Sequence, residues 1–207
     1  MSFSPISEII TDFKNGKFVI LTDDEHRENE GDLMIAAEHV KAEHINFMSR
    51  QACGLICLVL SEKQIEKLKL PMMNSAEHQA GQTQTAFTVS IEASHGISSG
   101  ISANDRAHTI QIAINESAKP ADVICPGHVF PLKANSNGVL ARAGHTEASH
   151  DLAVLSGLNP SAVICEVMNE DGSMSRAADL FLFSKKHQIK VGTIQSLIQY
   201  RKKNIDA

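Results

Sequence analysis

Residues 18–21 read Phe18-Val-Ile-Leu21, and a strongly acidic segment follows from Asp23 to Asp32. A continuous apolar run of this length is typical of a short strand that is buried on both faces. Six carboxylates fall within the next ten residues, at Asp23, Asp24, Glu25, Glu28, Glu30 and Asp32. Their mutual repulsion is unfavourable when they lie close together. The segment therefore indicates either a site for a divalent cation or an acidic turn in solvent, and on its own it does not decide between them.

Helix and strand signals alternate along the rest of the chain. Capping residues and apolar periodicity predict helices at 5–14, 42–52, 62–69, from 102 to about 116, and at 147–156, 176–187 and 193–202. Apolar or alternating runs predict strands at 18–22, 55–60, 87–91 and 162–165. Ser61, Ser102, Thr146 and Thr193 are the predicted N-caps, and the predicted glycine-bearing loops are 71–85, 92–101 and 126–145. This pattern predicts an α/β (α+β) fold, a single compact domain with a mixed β-sheet flanked by helices.

The composition is that of an ordinary globular protein. At 207 residues and 22.5 kDa, one domain is expected, covering residues 1–207. The net charge of −5 and the pI near 6.0 argue against a nucleic-acid partner. No apolar run approaches the roughly 20 residues that span a bilayer, and the first residues lack the features of a signal peptide. We expect a cytoplasmic protein with no membrane partner.

Four cysteines are scattered through the chain, at Cys53, Cys57, Cys125 and Cys165. No two of them form a Cys-x-x-Cys pair, which argues against a zinc ribbon or a redox dithiol. Each is expected to pack as a small buried apolar residue.

Residues 142–147, Arg-Ala-Gly-His-Thr-Glu, favour an anion site. A helix N-terminus presents free N–H groups, Gly144 permits close approach, and Arg142 and Thr146 add a guanidinium and a hydroxyl. Together these groups suit a phosphate monoester. The alternative is an ordinary helix cap beside an exposed arginine. Arg27, Lys133 and Arg106 are further candidates for anion binding, although the position of Arg106 inside a helix favours a structural role.

His145 places an imidazole beside these anion donors. An imidazole combined with carboxylates suits Mg²⁺ or Mn²⁺ that keeps open coordination positions. Two other segments are rich in reactive groups and poor in packing residues. In the first, His128 lies between Pro126 and Pro131, and in the second Glu166 directly follows an apolar strand.

Several long motifs occur in a fixed order along the chain. They are Asp23-Asp-Glu-His-Arg-Glu-Asn-Glu-Gly-Asp32, Gly81 to Ala93 with Phe87-Thr-Val-Ser-Ile-Glu92, Gly100-Ile-Ser-Ala-Asn-Asp-Arg106, Pro126-Gly-His-Val-Phe-Pro-Leu132, Gly138-Val-Leu-Ala-Arg-Ala-Gly-His-Thr-Glu-Ala148 and Asn169-Glu-Asp-Gly-Ser-Met174. With these motifs the chain resembles the 3,4-dihydroxy-2-butanone 4-phosphate synthases of riboflavin biosynthesis over nearly its whole length.

The resemblance implies a reaction and a set of residues. It implies a lyase that converts ribulose 5-phosphate to 3,4-dihydroxy-2-butanone 4-phosphate and formate, with one or two Mg²⁺ or Mn²⁺ ions and no organic cofactor. The implied metal ligands are Glu28 and His145, and the implied catalytic residues are His128 and Glu166. The implied substrate contacts are Arg27, Glu28, Asp32, Arg142, Ala143, Gly144, His145, Thr146 and Glu166. Glu30 is an additional candidate for acid–base support.

The resemblance also implies a homodimer with active sites near the subunit interface. Some relatives carry a GTP cyclohydrolase II domain, which this chain is expected to lack. Two other functions fit the same residue types: a metal-dependent hydrolase of small phosphate esters, and a non-catalytic protein that binds a cation or a sugar phosphate. The released product distinguishes the three, since it is formate, inorganic phosphate or neither.

Overall fold

The computed structural model describes residues 2–73 and 85–205. Within these ranges seven strands form one mixed sheet, and they are β1 Val19–Thr22, β2 Gly31–Ala36, β3 Cys57–Ser61, β4 Ile91–Ala93, β5 Val123–Ala134, β6 Ala162–Glu166 and β7 Lys190–Thr193. Their order across the sheet is β4-β5-β3-β6-β2-β1-β7. β1–β7 and β3–β5 are parallel pairs, and the other neighbours are antiparallel. The predicted fold class is confirmed.

Helices cover both faces of this sheet. In the described residues they are α1 Ile6–Lys14, α2 Ala42–Phe47, α3 Glu62–Leu68, α4 Ala103–Ala113, α5 His145–Leu155, α6 Ala177–His187 and α7 Ile194–Ile205. One core joins α1, α5 and α7 to the face of the sheet that carries Leu21 and Ile164. The other core joins α2, α3, α4 and α6 to the face that carries Ile20 and Cys165. Among the described residues, no helix combines the length and the apolar character needed to cross a membrane.

The predicted helices are confirmed within a few residues, and most of their caps are in place. The side chains of Ser61, Ser102 and Thr193 each accept a hydrogen bond from the third residue after them, at 3.3, 3.0 and 3.0 Å. The expected cap at Thr146 is wrong, because Gly144 is the N-cap of α5 and Thr146 is already helical. The helix predicted to end at position 52 continues past α2 as a short π-helix, Met48–Ala52.

The predictions for strands and loops are less accurate. The loop predicted at 126–145 is wrong as far as Ala134, because those residues belong to the long strand β5. β2 and β7 were not predicted, and of the strand predicted at 87–91 only bridges at Phe87 and Thr88 and the first residue of β4 are present. The loop predicted at 71–85 falls largely on residues 74–84, which lie outside the described ranges.

A bulge explains why proline and glycine occur inside β5. Between Ile91 and Glu92 the pairing with β5 jumps from Val129 to Ile124, so residues 125–128 bulge out of the ladder. Gly127 is required there because a Cβ atom would lie 2.1 Å from the carbonyl carbon of Ile91. Bulges tolerate proline because the ladder hydrogen bonds are already interrupted.

Two of the four cysteines depart from their prediction. Cys57 and Cys165 are buried in strands, as expected. Cys53 and Cys125 are exposed, because Cys53 ends the π-helix in a left-handed conformation and Cys125 lies in the β5 bulge. The general preference of cysteine for buried positions therefore does not predict its environment at a helix end or in a bulge.

A methyl group at Gly31 should destabilise the fold. A Cβ atom there would lie 2.4 Å from Cδ1 of Leu180, and Leu180 is only 1% exposed, so it has no solvent to move into. Alanine normally suits a strand better than glycine, but overpacking a core costs about 1–3 kcal/mol. We expect Gly31→Ala to lower the free energy of unfolding in urea by that amount. In a Leu180→Ala background the same change should cost much less, and strictly additive effects would contradict the proposed clash.

Candidate active site

The acidic segment folds around one buried carboxylate. The Asp23 side chain is fully buried. It accepts hydrogen bonds from Arg27 Nη1 at 2.8 Å, from the Glu28 amide at 3.0 Å and from the Glu30 amide at 2.8 Å. Arg27 also contacts the Glu28 carboxylate at 2.5 Å, so one guanidinium offsets two negative charges. The segment is therefore an ordered loop between β1 and β2, and Asp23 is its centre.

Two carboxylates face each other where β2 meets β6. Asp32 lies directly opposite Glu166 in the antiparallel register. Asp32 is 4% exposed, and burial raises the pKa of Asp32 to about 7, with the charges of Glu166 and Glu28 adding to the rise. Burial likewise raises the pKa of Glu30, which sits partly buried at the end of the loop.

His145, the first residue of α5, lies between these carboxylates and the loop. Its Nδ1 atom is 3.7 Å from Glu28 Oε2 and 3.8 Å from Asp32 Oδ1. Burial works to lower the pKa of His145, but the negative charge of Asp32 and the contact with Glu28 outweigh it, and the pKa is raised. In turn, the interaction with His145 lowers the pKa of Glu28 to about 2.

The donor atoms at this point fit a divalent cation. Ligand atoms of Asp23, Glu28 and His145 lie within 4.8 Å of one another. His145 Nε2 and Asp32 Oδ1 are buried and have no hydrogen-bond partner among the described residues. Such atoms are unfavourable unless a ligand or water satisfies them. Because Asp23 already accepts three hydrogen bonds, Glu28 and His145 are the better ligands, with Asp32 beside them.

The N-terminus of α5 keeps together the groups that the sequence suggests for an anion site. Among the described residues no side chain caps the helix. Arg142 bends back over this end, and it donates to Glu147 Oε2 at 2.7 Å and to Thr85 Oγ1 at 3.1 Å. Gly144 makes this possible, since a Cβ atom there would lie 2.3 Å from Arg142 Nη1. The Arg142 side chain is 19% exposed, so the alternative of an arginine in solvent is wrong.

The Glu166 side chain is held at the end of β6 by a backbone amide, and it packs closely against Gly54. Its Oε2 atom accepts a hydrogen bond from the Leu55 amide at 2.8 Å. A Cβ atom at Gly54 would lie 2.4 Å from the Glu166 carbonyl oxygen and 2.6 Å from Oε2. Only glycine at position 54 lets the two segments approach this closely. Since the Leu55 amide binds Oε2, Oε1 of Glu166 is the oxygen that could contact a ligand.

A cavity of about 130 Å³ joins these parts. Eight of the residues proposed from sequence line it, namely Arg27, Glu28, Glu30, Asp32, Arg142, His145, Thr146 and Glu166. Ala143 instead faces a neighbouring cavity of about 380 Å³, and Gly144 forms the helix cap. The remaining wall was not predicted, and it consists of Cys57, Thr85, Phe87, Leu132 and Ile164. Three of these residues carry a usable signal, because Thr85 and Phe87 stand within the motif from Gly81 to Ala93 and Leu132 ends the motif that begins at Pro126.

His128 is not among the described residues that line this cavity. It lies in the β5 bulge with 44% of its side chain exposed, and its Nδ1 atom contacts the Glu92 carboxylate. Two anion-binding candidates are also engaged elsewhere in the described chain. Lys133 pairs with Glu62 at 3.1 Å, and Arg106 donates to Ser49 Oγ at 2.8 Å.

Comparison with known proteins gives a consistent result. A family model described as 3,4-dihydroxy-2-butanone 4-phosphate synthase matches residues 7–200. A protein of that name from Neisseria meningitidis serogroup A is 57% identical over 198 residues, which are 96% of this chain and 54% of that protein. Another from Hamiltonella defensa is 47% identical and covers 99% of this chain and 93% of its own length. The chain thus spans about half the length of the Neisseria relative.

A solved structure shares the fold. It is a 3,4-dihydroxy-2-butanone 4-phosphate synthase in complex with two magnesium ions, with a TM-score of 0.91 and 41% sequence identity. The match covers 98% of both chains.

Replacing the central carboxylate of the loop should loosen the loop. In Asp23→Asn one of the two carboxylate oxygens becomes an NH₂ donor, so either the Glu30 amide, which binds Oδ1, or the Glu28 amide, which binds Oδ2, loses its acceptor. The amide that keeps its acceptor then donates to a neutral oxygen, which is a weaker hydrogen bond. A hydrogen bond to a charged group contributes about 1.5–3 kcal/mol, so the exchange of these amides with deuterium should accelerate about tenfold or more. Asp24→Asn is the matched control, because among the described residues the Asp24 side chain accepts a hydrogen bond only from the His26 amide, and its backbone contacts are unchanged by the substitution. Unchanged protection at Glu28 and Glu30 would contradict this account.

Proposed function

The chain belongs to the 3,4-dihydroxy-2-butanone 4-phosphate synthase family, and from this premise we propose that it is a lyase acting on D-ribulose 5-phosphate. The products are L-3,4-dihydroxy-2-butanone 4-phosphate and formate, formed by enolisation, dehydration, carbon migration and excision of C4. The observation that carries the proposal is the cavity itself. It brings together Glu28 and His145, the first turn of α5 with Arg142, and the opposed carboxylates of Asp32 and Glu166 around about 130 Å³.

Glu28 and His145 would hold Mg²⁺ or Mn²⁺. One support is the distance of 3.7 Å between Glu28 Oε2 and His145 Nδ1. Another is the buried Nε2 atom of the same ring, which has no hydrogen-bond partner among the described residues. When bound, such an ion supplies Lewis-acid stabilisation to neighbouring substrate oxygens. Arg27 keeps the Glu28 carboxylate turned toward the cavity, and Asp32 keeps His145 oriented from the other side.

The N-terminal turn of α5 would bind the substrate phosphate. His145 and Thr146 in the first turn of α5 line the same cavity as Arg142, and the first turn of a helix presents N–H groups that suit an anion. Glu147 and Thr85 fix that guanidinium before substrate arrives. Binding energy from the phosphate then orients the carbon chain toward the carboxylates.

Glu166 and Asp32 would handle protons at the reacting carbons. The enolisation and dehydration steps remove protons from neighbouring substrate atoms and return them. Two carboxylates on adjacent strands can reach two such neighbouring atoms. Glu30, at the rim of the same cavity, would support them.

His128 would act from the second subunit of a homodimer. In the described chain it is exposed and lies outside the cavity, which a catalytic role within one subunit does not explain. Two large apolar side chains near it are also exposed, Leu55 at 41% and Ile124 at 49%, and they favour a covered surface here. Leu55 adjoins Glu166 through its amide, so a partner docked on this surface would approach the cavity mouth.

The product tests the proposed reaction. With ribulose 5-phosphate carrying ¹³C at C4 and Mg²⁺ present, we expect ¹³C-formate in the NMR spectrum. A chelator should stop its release and added Mg²⁺ or Mn²⁺ should restore it. Far-UV circular dichroism should stay unchanged, because the ligands lie in a loop and at the first residue of α5 rather than in the core strands. Release of inorganic phosphate instead would identify a hydrolase, and no product would identify a binding protein.

Mixed dimers test the role of His128. Glu166→Gln and His128→Asn keep side-chain shape but remove proton transfer, which typically lowers kcat by about 10²–10⁴-fold. A heterodimer with one substitution in each subunit keeps one site with both native residues only if His128 acts across the interface. We expect such a heterodimer, purified with two different tags, to recover about half the wild-type kcat. The His128→Asn homodimer is the reference and should be nearly inactive, and an active one would remove His128 from catalysis. Recovery of no activity in the heterodimer would place both residues in the same subunit's site.

A further inference from the structure

Arg176 links the acidic loop to a part of the chain outside the cavity. It directly precedes α6, and its Nη1 atom donates to the carbonyl oxygen of Glu28 at 2.7 Å and to that of Asn29. Asn29 has a left-handed backbone, with φ of 55°, so the chain reverses at this point. Both carbonyls of the reversal are therefore bound by one guanidinium.

The backbone that carries Arg176 is itself held in place. The Arg176 amide donates to Asp179 Oδ2 at 3.0 Å, which caps the start of α6. Just upstream, Asn169 accepts from Ser175 Oγ at 2.8 Å and donates to Ser173 Oγ at 3.1 Å. The guanidinium thus projects from an ordered base rather than from a free loop.

The contacts of Arg176 are unusual for a surface arginine beside an acidic loop. Within the described ranges its guanidinium forms no ion pair, although its charge acts on the nearby Glu30 carboxylate. Both of the guanidinium's hydrogen bonds in these ranges come from Nη1 and go to backbone oxygens. A guanidinium suits this task, because one NH₂ group carries two hydrogens and can donate both at once. What it fixes is the peptide from which the Glu28 side chain departs toward His145.

We propose that Arg176 is a positioning residue for the cation site. By holding the carbonyls of Glu28 and Asn29, it sets the Glu28 carboxylate opposite His145 before the ion binds. This inference rests on the proposed function only for the assignment of Glu28 and His145 as ligands. Partners behind the ligands that orient them commonly affect metal affinity.

Binding of Mn²⁺ to the substrate-free protein tests the inference. Electron paramagnetic resonance of free Mn²⁺ gives the dissociation constant without turnover. We expect Arg176→Ala to raise it by about 10–100-fold. Arg176→Lys should raise it less, because lysine keeps the charge and an NH₃⁺ group that can donate more than one hydrogen bond, on a more flexible side chain. Arg50→Ala is the matched control, since it removes the same charge from an exposed position in the neighbouring π-helix and should leave the constant unchanged.

The outcomes separate this inference from the reaction. Wild-type affinity in both Arg176 variants would overturn it, and if Arg176→Ala does not fold, the lysine variant decides alone. A lowered melting temperature with unchanged Mn²⁺ affinity would also overturn it, since that result describes a purely structural arginine. A wild-type protein that releases formate but binds no Mn²⁺ would overturn the inference while leaving the proposed reaction standing.

Discussion

Repulsion among the carboxylates around His145 is the constraint on which the site depends. Glu28, Glu30, Asp32 and Glu166 all line one small cavity, and Asp32 is almost fully buried. Two unit charges about 5 Å apart repel by about 3 kcal/mol at an effective dielectric constant of about 20. The folded state must offset the repulsion energy of several such pairs. Part of this repulsion is offset by the imidazole of His145, the guanidinium of Arg27 and the amides that bind Asp23. A bound cation would offset the remainder.

The fold brings these groups together through close backbone approaches. The antiparallel register of β2 and β6 sets Asp32 opposite Glu166, and α5 begins above that pair. Gly31, Gly54 and Gly144 each stand where a Cβ atom would lie within 2.5 Å of a neighbouring residue. The site is therefore as much a product of packing as of its charged residues. A methyl group at Gly54 or Gly144 would displace Glu166 or Arg142 in the cavity wall, and one at Gly31 would displace Leu180 beside the strand that carries Asp32.

Some elements could be predicted from sequence because their signals are local. Ser102 caps α4 through the amide three residues on, and Thr193 caps α7 in the same way. β5 could not be recognised, because the residues that look like turn formers, among them Pro126 and Gly127, occupy a bulge within the strand. β2 was missed because its first residues, Gly31 and Asp32, read as the end of an acidic loop, and β7 is short and contains Gly192.

The sequence by itself determined the inventory of the site and the family. The acidic segment, the run from Arg142 to Glu147 and the order of the motifs identify residue types that suit a cation and a phosphate, and these are local properties of the chain. Only the tertiary structure decided which of them meet. It sets His145 against Glu28 and Asp32, buries Arg142 against Glu147 and Thr85, and leaves His128 outside the cavity. Apart from the local Arg142–Glu147 pair, these contacts join segments distant in sequence. Strand register, helix placement and glycine-mediated packing fix them, and a local pattern encodes none of these.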